Sequence, residues 1–242
     1  MRTPRIYVEK DLRAGAEAVL DEDAAVHLAR VLRLRAGDAV TLFNGDGRDY
    51  AGRLLVLAKR EARIAVGHAS DREPESSLAI HLAVGVSRGE RMDFVIQKAV
   101  ELGVAGILPL LTERSVVRLD DERADRRHAH WRGVLVAACE QSGRRRLPLL
   151  RPAVAWCSWC PPAEGARLLL DPGAAETLPM LAPPEGSVTL LVGPEGGLTE
   201  AERTRAVTAG FTPVRLGPRI LRTETAPLAA LAAIQILWGD MR

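Results

Sequence analysis

Leu78-Ala-Ile-His-Leu-Ala-Val-Gly-Val86 is a nearly continuous apolar run one strand long, the pattern of a strand buried on both faces of a sheet. Ser87-Arg-Gly-Glu90 follows with capping-box spacing, and Met92, Val95, Ile96, Ala99 and Leu102 then recur at helical spacing up to Gly103. Val104 to Leu111 reads as the next strand. A strand, a helix and a second strand in close succession make a β-α-β unit, and that unit implies a parallel sheet.

Toward the C-terminus the alternation continues. His128 to Ser142 has an apolar helical face (Trp131, Leu135, Ala138), while Arg167 to Leu170 and Val188 to Val192 read as core strands. Thr199-Glu-Ala-Glu202 is a capping box that opens a helix closed by Gly210, and Val214 to Leu216 is a further short strand. Pro227 to Trp238 is apolar on nearly every side, so the expectation is burial on all faces, within the domain or against a second copy of the chain.

Toward the N-terminus the pattern changes. Ser70 to Ser77 is polar and contains a proline, as a linker does. Residues 1–72 before it form a small β-rich unit. Ile6 to Val8, Ala39 to Phe43, Tyr50 to Leu57 and Ala62 to His68 are its strands, and Ala24 to Leu34 has helical spacing. Asn44-Gly-Asp-Gly47 between two of the strands signals an antiparallel hairpin.

Nearly half of the 242 residues are hydrophobic, enough for a large core. No apolar run is long enough to span a bilayer and the first residues lack the apolar stretch of a signal peptide. Three cysteines do not make a disulfide framework, so a reducing, cytoplasmic setting is expected. Net charge is only +2, yet 30 of the 33 cations are arginine. Genomic base composition explains that as readily as recognition of phosphates and bases by the planar guanidinium does.

Two segments carry the chemistry. In Gly193-Pro-Glu-Gly-Gly197 a buried strand runs through a Gly-rich turn into a helix. This is a plain tight turn, or a ligand loop. A phosphate cradle is disfavoured, because there is no Gly-Lys-Ser/Thr ending and Glu195 would repel an anion. A ligand with hydroxyls or a positive centre suits the loop better. In Leu216-Gly-Pro-Arg-Ile-Leu-Arg-Thr-Glu-Thr-Ala226, Thr225 stands as an N-cap with Pro227 in the first turn. Arg222 and Glu224 are either a structural pair or a site in which Arg222 meets an anion or base and Glu224 accepts a hydrogen bond.

With Arg91-Met-Asp-Phe-Val-Ile-Gln-Lys98-Ala-Val-Glu101-Leu-Gly103 and Ala138-Cys-Glu140-Gln-Ser-Gly143-Arg144, these segments closely resemble the RsmE family. Those are the 16S ribosomal RNA uracil-N3 methyltransferases of the SPOUT superfamily. Pro4-Arg-Ile-Tyr7 and Arg30-Val-Leu-Arg33 are similar to that family's N-terminal domain, and the likeness runs in order along essentially the whole chain. The resemblance implies an α/β fold: a PUA-like RNA-binding β-barrel over residues 1–72, and over 73–242 a SPOUT methyltransferase domain with a parallel sheet and a C-terminal trefoil knot. It also implies a homodimer that uses S-adenosylmethionine and acts on 16S rRNA of the 30S subunit, with no metal and no membrane.

Cofactor contacts carried over from the resemblance fall on Leu170, Leu191, Gly193, Glu195 and Gly196, and on Leu216, Gly217, Ile220, Leu221, Arg222, Glu224, Thr225 and Ala226. Catalytic candidates are Arg222 and Glu224, then Glu140 and Arg144. RNA contacts are expected at Arg5, Arg30 and Arg33. Alternatives are another SPOUT enzyme acting on tRNA or a ribose 2′-hydroxyl, and a non-catalytic RNA-binding assembly protein. Cys139 reads as a small buried helix residue and Cys157-Ser-Trp-Cys160 as neither zinc nor redox site, since no second Cys pair exists. His128 and His130 read as a solvated face without an acidic partner, and Trp156 and Trp159 as packing residues.

Overall fold

The computed structural model describes residues 3–74, 76–115 and 121–241, with residues 23 and 121 described by their backbone alone. Met1 and Arg2 of the N-terminal reading, and Glu75 of the linker, lie outside them. The chain divides into two compact units: residues 1–75 with 139–147, and residues 76–138 with 148–242.

In the first unit β1 (Arg5–Tyr7), β2 (Glu17–Leu20), α1 (Glu22–Val26), β3 (Ala39–Phe43), β4 (Tyr50–Leu57) and β5 (Ala62–Ala69) follow in order. The helical spacing expected over Ala24 to Leu34 resolves into α1 and one wider π turn, His27–Val31. Strands pair in the order β1-β3-β4-β5-β2, antiparallel except for β1 against β3. Gly45 and Gly47 hold the left-handed angles (φ 93° and 89°) that turn β3 into β4. Edge strands and helix share one core, in which Leu42, Leu54 and Ile64 are fully buried beside Ile6, Leu20 and Leu28.

The stretch 139–147 joins this unit through polar contacts. Glu140 Oε1 accepts the Tyr7 amide at 3.0 Å. The Arg145 side chain donates to Asp49 at 3.0 Å and its amide to Glu73 at 3.1 Å. Arg5, expected at an RNA surface, is turned inward instead. Its side chain is 6% exposed, pairs with Asp49 at 2.5 Å, donates to the Arg144 carbonyl at 2.9 Å and lies 4.6 Å from the centre of the Phe43 ring. Strand alternation is the reason: Ile6 faces the core, Arg5 takes the opposite side of β1 with Phe43 and the Arg144 carbonyl, and a guanidinium buried there must find a carboxylate.

The second unit is built on β6 (Ala79–Gly85), α2 (Glu90–Glu101), β7 (Gly106–Leu111), α3 (Asp121–Ser142, which ends in the first unit), β8 (Leu149–Leu150), β9 (Val154–Ala155), β10 (Ala166–Leu170), β11 (Ser187–Val192), α4 (Glu200–Thr208), β12 (Thr212–Val214) and α5 (Thr225–Trp238). Its sheet runs β12-β10-β11-β6-β7-β8, with β9 also on β7, and every pairing is parallel. β6 occupies the middle, and Ile80, Leu82, Ala83 and Val84 are at most 1% exposed, as the unbroken apolar run demanded. α2 buries Met92, Val95, Ile96, Ala99 and Val100 on one stripe.

Three local expectations change. Ser87 to Glu90 is not a capping box: α2 starts at Glu90 after Gly89, whose φ of 57° turns the chain into the helix without a side-chain cap. α5 starts one residue early relative to its expected cap, with Glu224 rather than Thr225 at the N-cap. Nor is α5 covered on all faces. Pro227, Ala230, Leu231, Ile234 and Gln235 are buried, whereas Ile236 is 58% and Leu237 37% exposed. Gln235 fixes the helix by donating to the Leu102 carbonyl (3.0 Å) and accepting the Asp240 amide (3.2 Å). The Thr199–Glu202 capping box of α4 is present in both directions, and Glu202 also accepts the Glu113 amide at 2.9 Å.

Arg5→Ala removes one half of a buried ion pair, while Arg145 still serves Asp49. We expect a loss of about 3 kcal/mol in denaturant unfolding, and less than about 0.5 kcal/mol for Arg30→Ala, an exposed side chain. Equal effects of the two would show that Arg5 is not structural.

Candidate functional site

Parallel strands deliver their C-terminal ends to one edge of the sheet, and ligand crevices of open α/β sheets lie there. In the second unit the ends of β10, β11 and β12 run into three loops: Asp171-Pro172, Gly193 to Leu198, and Leu216 to Ala226. These enclose a cavity of about 340 Å³, a size that suits a small ligand. The Gly-rich loop is packed against the end of β6. A Cβ on Gly85 would stand 2.4 Å from the Pro194 nitrogen, so only glycine lets this loop approach.

The two segments singled out in the sequence meet here. Leu170, Gly193, Glu195, Leu216, Gly217, Ile220, Leu221 and Ala226 all line the cavity. Others are not part of the lining. Leu191 is fully buried in the core, and the Gly196 carbonyl accepts from the Arg114 guanidinium at 2.9 Å. Arg222, Glu224 and Thr225 flank the lining at the start of α5. The Arg222 carbonyl accepts the Thr225 and Ala226 amides, both at 2.9 Å, while its side chain is exposed. Thr223 ties the two segments directly, its Oγ1 donating to the Gly193 carbonyl at 3.2 Å.

Arg222 and Glu224 do not form the ion pair that their proximity in sequence allows. Across Glu224 stands Arg91 of α2, with Nε 3.9 Å from Oε2. Arg91 also meets Glu195, Nη1 to Oε1 at 3.1 Å, and the same oxygen accepts the Arg88 amide at 3.1 Å. Burial pushes the Glu195 carboxyl up, but hydrogen bonds from its own amide, the Arg88 amide and Arg91 outweigh burial and hold it below the usual carboxylate range.

The remaining predicted residues fall in the first unit. Burial raises the Glu140 carboxyl despite the Tyr7 amide that it accepts. Arg144 gives its carbonyl to Arg5. Arg30 and Arg33 are exposed on and just beyond the π turn; Arg33 has φ 54°, the one positive value at a non-glycine residue among those described. Burial pushes the Cys139 thiol up to about 11, which makes it a poor nucleophile. His130 does have an acidic partner, contrary to expectation: Nε2 lies 2.8 Å from Asp93 Oδ2. Trp156, Trp159 and Phe211 stack in series at 5.5 and 6.0 Å.

Sequence reasoning missed Asp171 and Arg203. Asp171 stands at the end of buried β10, a signal open to reading. Arg203 comes from α4 and pairs with it at 3.5 Å across the cavity wall, which no local pattern reveals. The wall thus combines apolar side chains (Leu170, Ile220, Leu221) with charge of both signs, the carboxylates Asp171 and Glu195 and the arginines Arg114, Arg203, Arg215 and Arg219. Among the described residues no cluster of metal-ligating side chains is found, and no helix is long and apolar enough to cross a membrane.

Residues 74–235 match the model of an RNA methyltransferase domain family, and residues 20–66 that of an RNA methyltransferase PUA domain. The chain is 33% identical to ribosomal RNA small subunit methyltransferase E of Buchnera aphidicola, over 99% of this chain and 98% of the relative. It belongs to the ribosomal RNA small subunit methyltransferase E family. A member of this family from Neisseria gonorrhoeae, solved bound to S-adenosylmethionine, is 42% identical and superposes with a TM-score of 0.92, with 100% of both chains covered. A chain from Legionella pneumophila, solved with the bound cofactor SAM, is 38% identical with a TM-score of 0.95 and the same full coverage. The family's α/β architecture, with a PUA-like N-terminal domain, is the fold described above.

The depressed Glu195 carboxyl sets a pH dependence. A carboxyl that is harder to protonate when folded adds stability above its unfolded pKa, and that contribution disappears as pH falls through the lower folded value. The unfolding midpoints of the wild type and Glu195→Gln should therefore differ by a constant amount above about pH 6 and converge in acid. A difference that stays constant down to about pH 2 would show that the carboxylate is not held in this way.

Proposed function

We propose that this chain methylates N3 of a uridine in 16S ribosomal RNA, with S-adenosylmethionine in the cavity at the ends of β10, β11 and β12. The observation that carries the reading is the convergence of Gly193–Leu198 and Leu216–Ala226 on one cavity, in a chain of this family. The donor set fits such a cofactor. Glu195 and Asp171 suit a sulfonium, an ammonium or ribose hydroxyls, and Leu170, Ile220 and Leu221 offer apolar walls to an adenine. Bound there, S-adenosylmethionine supplies an electrophilic methyl group.

The chain's own task is to present the uracil and remove its N3 proton, because the protonated nitrogen has no lone pair free for attack. Glu224 and Arg222 are the groups proposed for this: Glu224 to orient the base or accept the proton, Arg222 to favour the uracil anion. The exposed side chain of Arg222, beside the cavity rather than in it, supports a role toward the RNA. Glu140 and Arg144 are second candidates. The Tyr7 amide already uses one Glu140 oxygen, which favours Glu224 over it. The other cofactor contacts proposed are Leu191, Gly193, Gly196, Leu216, Gly217, Thr225 and Ala226, most of them through backbone groups.

The work is then divided between the domains of residues 1–72 and 73–242, the first holding RNA through Arg30 and Arg33. The proposal includes a C-terminal trefoil knot and a homodimer in the cytoplasm. Ile236, exposed on α5, supports the dimer.

Undermethylated 30S subunits incubated with the protein and S-adenosylmethionine should yield 3-methyluridine by nucleoside mass spectrometry. Methyl groups found only in tRNA or on ribose would overturn the reading. Glu224→Gln and Arg222→Ala should lower turnover by about 10²-fold or more, while cofactor affinity, measured separately, falls much less. Unchanged turnover would remove both from the mechanism.

Arg30→Ala/Arg33→Ala should weaken RNA binding and reduce the slope of log affinity against log salt, by about 0.7 to 0.9 for each phosphate that is no longer neutralised. A slope equal to that of the wild type would exclude them as phosphate ligands.

A further inference from the structure

Arg91 is not among the residues that line the cavity, yet it touches both segments that do. It projects from the first turn of α2, a helix anchored in the core by Met92, Val95 and Ile96. Its guanidinium addresses two carboxylates: Nη1 donates to Glu195 in the Gly-rich loop at 3.1 Å, and Nε forms an ion pair at 3.9 Å with Glu224 at the start of α5. We propose that Arg91 is a positioning residue for cofactor binding, a cationic bridge that holds Glu195 and Glu224 together and so sets the spacing of the two cavity walls. This rests on the reading of the cavity as an S-adenosylmethionine site.

Charge is the physical reason. Two carboxylates within 4 Å of a single guanidinium are necessarily near each other, and their side chains are only 23% and 21% exposed. Like charges at such a distance repel unless a cation stands between them. Each carboxylate belongs to a different loop, so repulsion between them acts to open the cavity. The direct link, Thr223 to the Gly193 carbonyl, is a neutral hydrogen bond and does nothing to cancel that repulsion.

Arginine is suited to the place in a way that lysine is not. A guanidinium spreads its charge over three nitrogens and can stand beside two carboxylates at once, whereas an ammonium is a single point charge. Nor is the interaction a generic surface pair. The Arg88 amide fixes the same Glu195 oxygen, so α2 and the residues that precede it grip the loop at two points.

The test is equilibrium dialysis of labelled S-adenosylmethionine against the full-length wild type, Arg91→Ala, Arg91→Lys, Glu224→Gln and Arg91→Ala/Glu224→Gln, with thermal melting of each protein without ligand. Arg91→Ala should bind about tenfold more weakly at an almost unchanged melting temperature. Arg91→Lys should fall between it and the wild type. The decisive arm is the double variant. With the second carboxylate neutralised the repulsion is gone, so it should bind more tightly than Arg91→Ala, although Glu224→Gln alone does not improve on the wild type. A merely structural role for Arg91 predicts that the second substitution adds to the damage.

Wild-type affinity in Arg91→Ala, or a double variant weaker than Arg91→Ala, overturns the proposal and leaves the cofactor site standing. Should Arg91→Ala not fold, Arg91→Lys decides, and unchanged affinity there overturns it. A wild type that does not bind S-adenosylmethionine overturns the reading of the cavity and the bridge with it.

Discussion

Parallel pairing of β6 with β7 on one side and β11 on the other is the constraint from which the rest of the second unit follows. A parallel neighbour cannot be reached by a tight turn, so each strand must be followed by a crossover that returns the chain to the starting edge. Every strand therefore points its C-terminal end the same way, and the loops that leave those ends are crowded into one place. The cavity lies there because the topology leaves its loops no other place to meet. Glycine at position 85 completes the arrangement, since any side chain would drive the Pro194 backbone off the end of β6.

Electrostatics then decides what kind of ligand the crowded edge can take. Free amides near the start of a helix favour an anion, and Arg114, Arg203, Arg215 and Arg219 line the same space as Asp171 and Glu195, so the cavity offers charge of both signs. Neither carboxylate is left bare. Asp171 is matched by Arg203 and Glu195 by Arg91. The hydrogen bonds that Glu195 accepts hold its carboxyl below the usual range, against the upward push of partial burial.

The first unit solves a different problem. Its core is small, and it closes with help from a segment that follows it by more than sixty residues in sequence, residues 139–147. Polar contacts make that closure: Arg5 and Arg145 share Asp49, and Glu140 caps the Tyr7 amide. An arginine that looks in the sequence like an RNA contact is, in the fold, a buried strut, and Glu140 accepts a backbone amide. The arginines at the π turn remain open to solvent because a short, irregular helix offers no second layer to cover them.

Sequence alone determined the features that depend on local pattern. The nearly continuous apolar run at Leu78–Val86 meant a strand buried on both faces, the stripe from Met92 to Ala99 meant a crossover helix, and Asn44–Gly47 meant a hairpin, because burial and backbone angles act over a few residues. It also brought out the two glycine-rich segments, and Glu195 by itself argued against phosphate. Tertiary structure decided everything that turns on which side chain meets which. Arg222 and Glu224 sit two residues apart, yet Glu224 is paired with Arg91 from another helix. Asp171 needed Arg203 beside it to be recognised, and Arg5 needed Asp49 to be taken off the surface. A charge in sequence has no address; only packing, which sets distance and desolvation, tells whether it is a contact for a ligand or a strut for the fold.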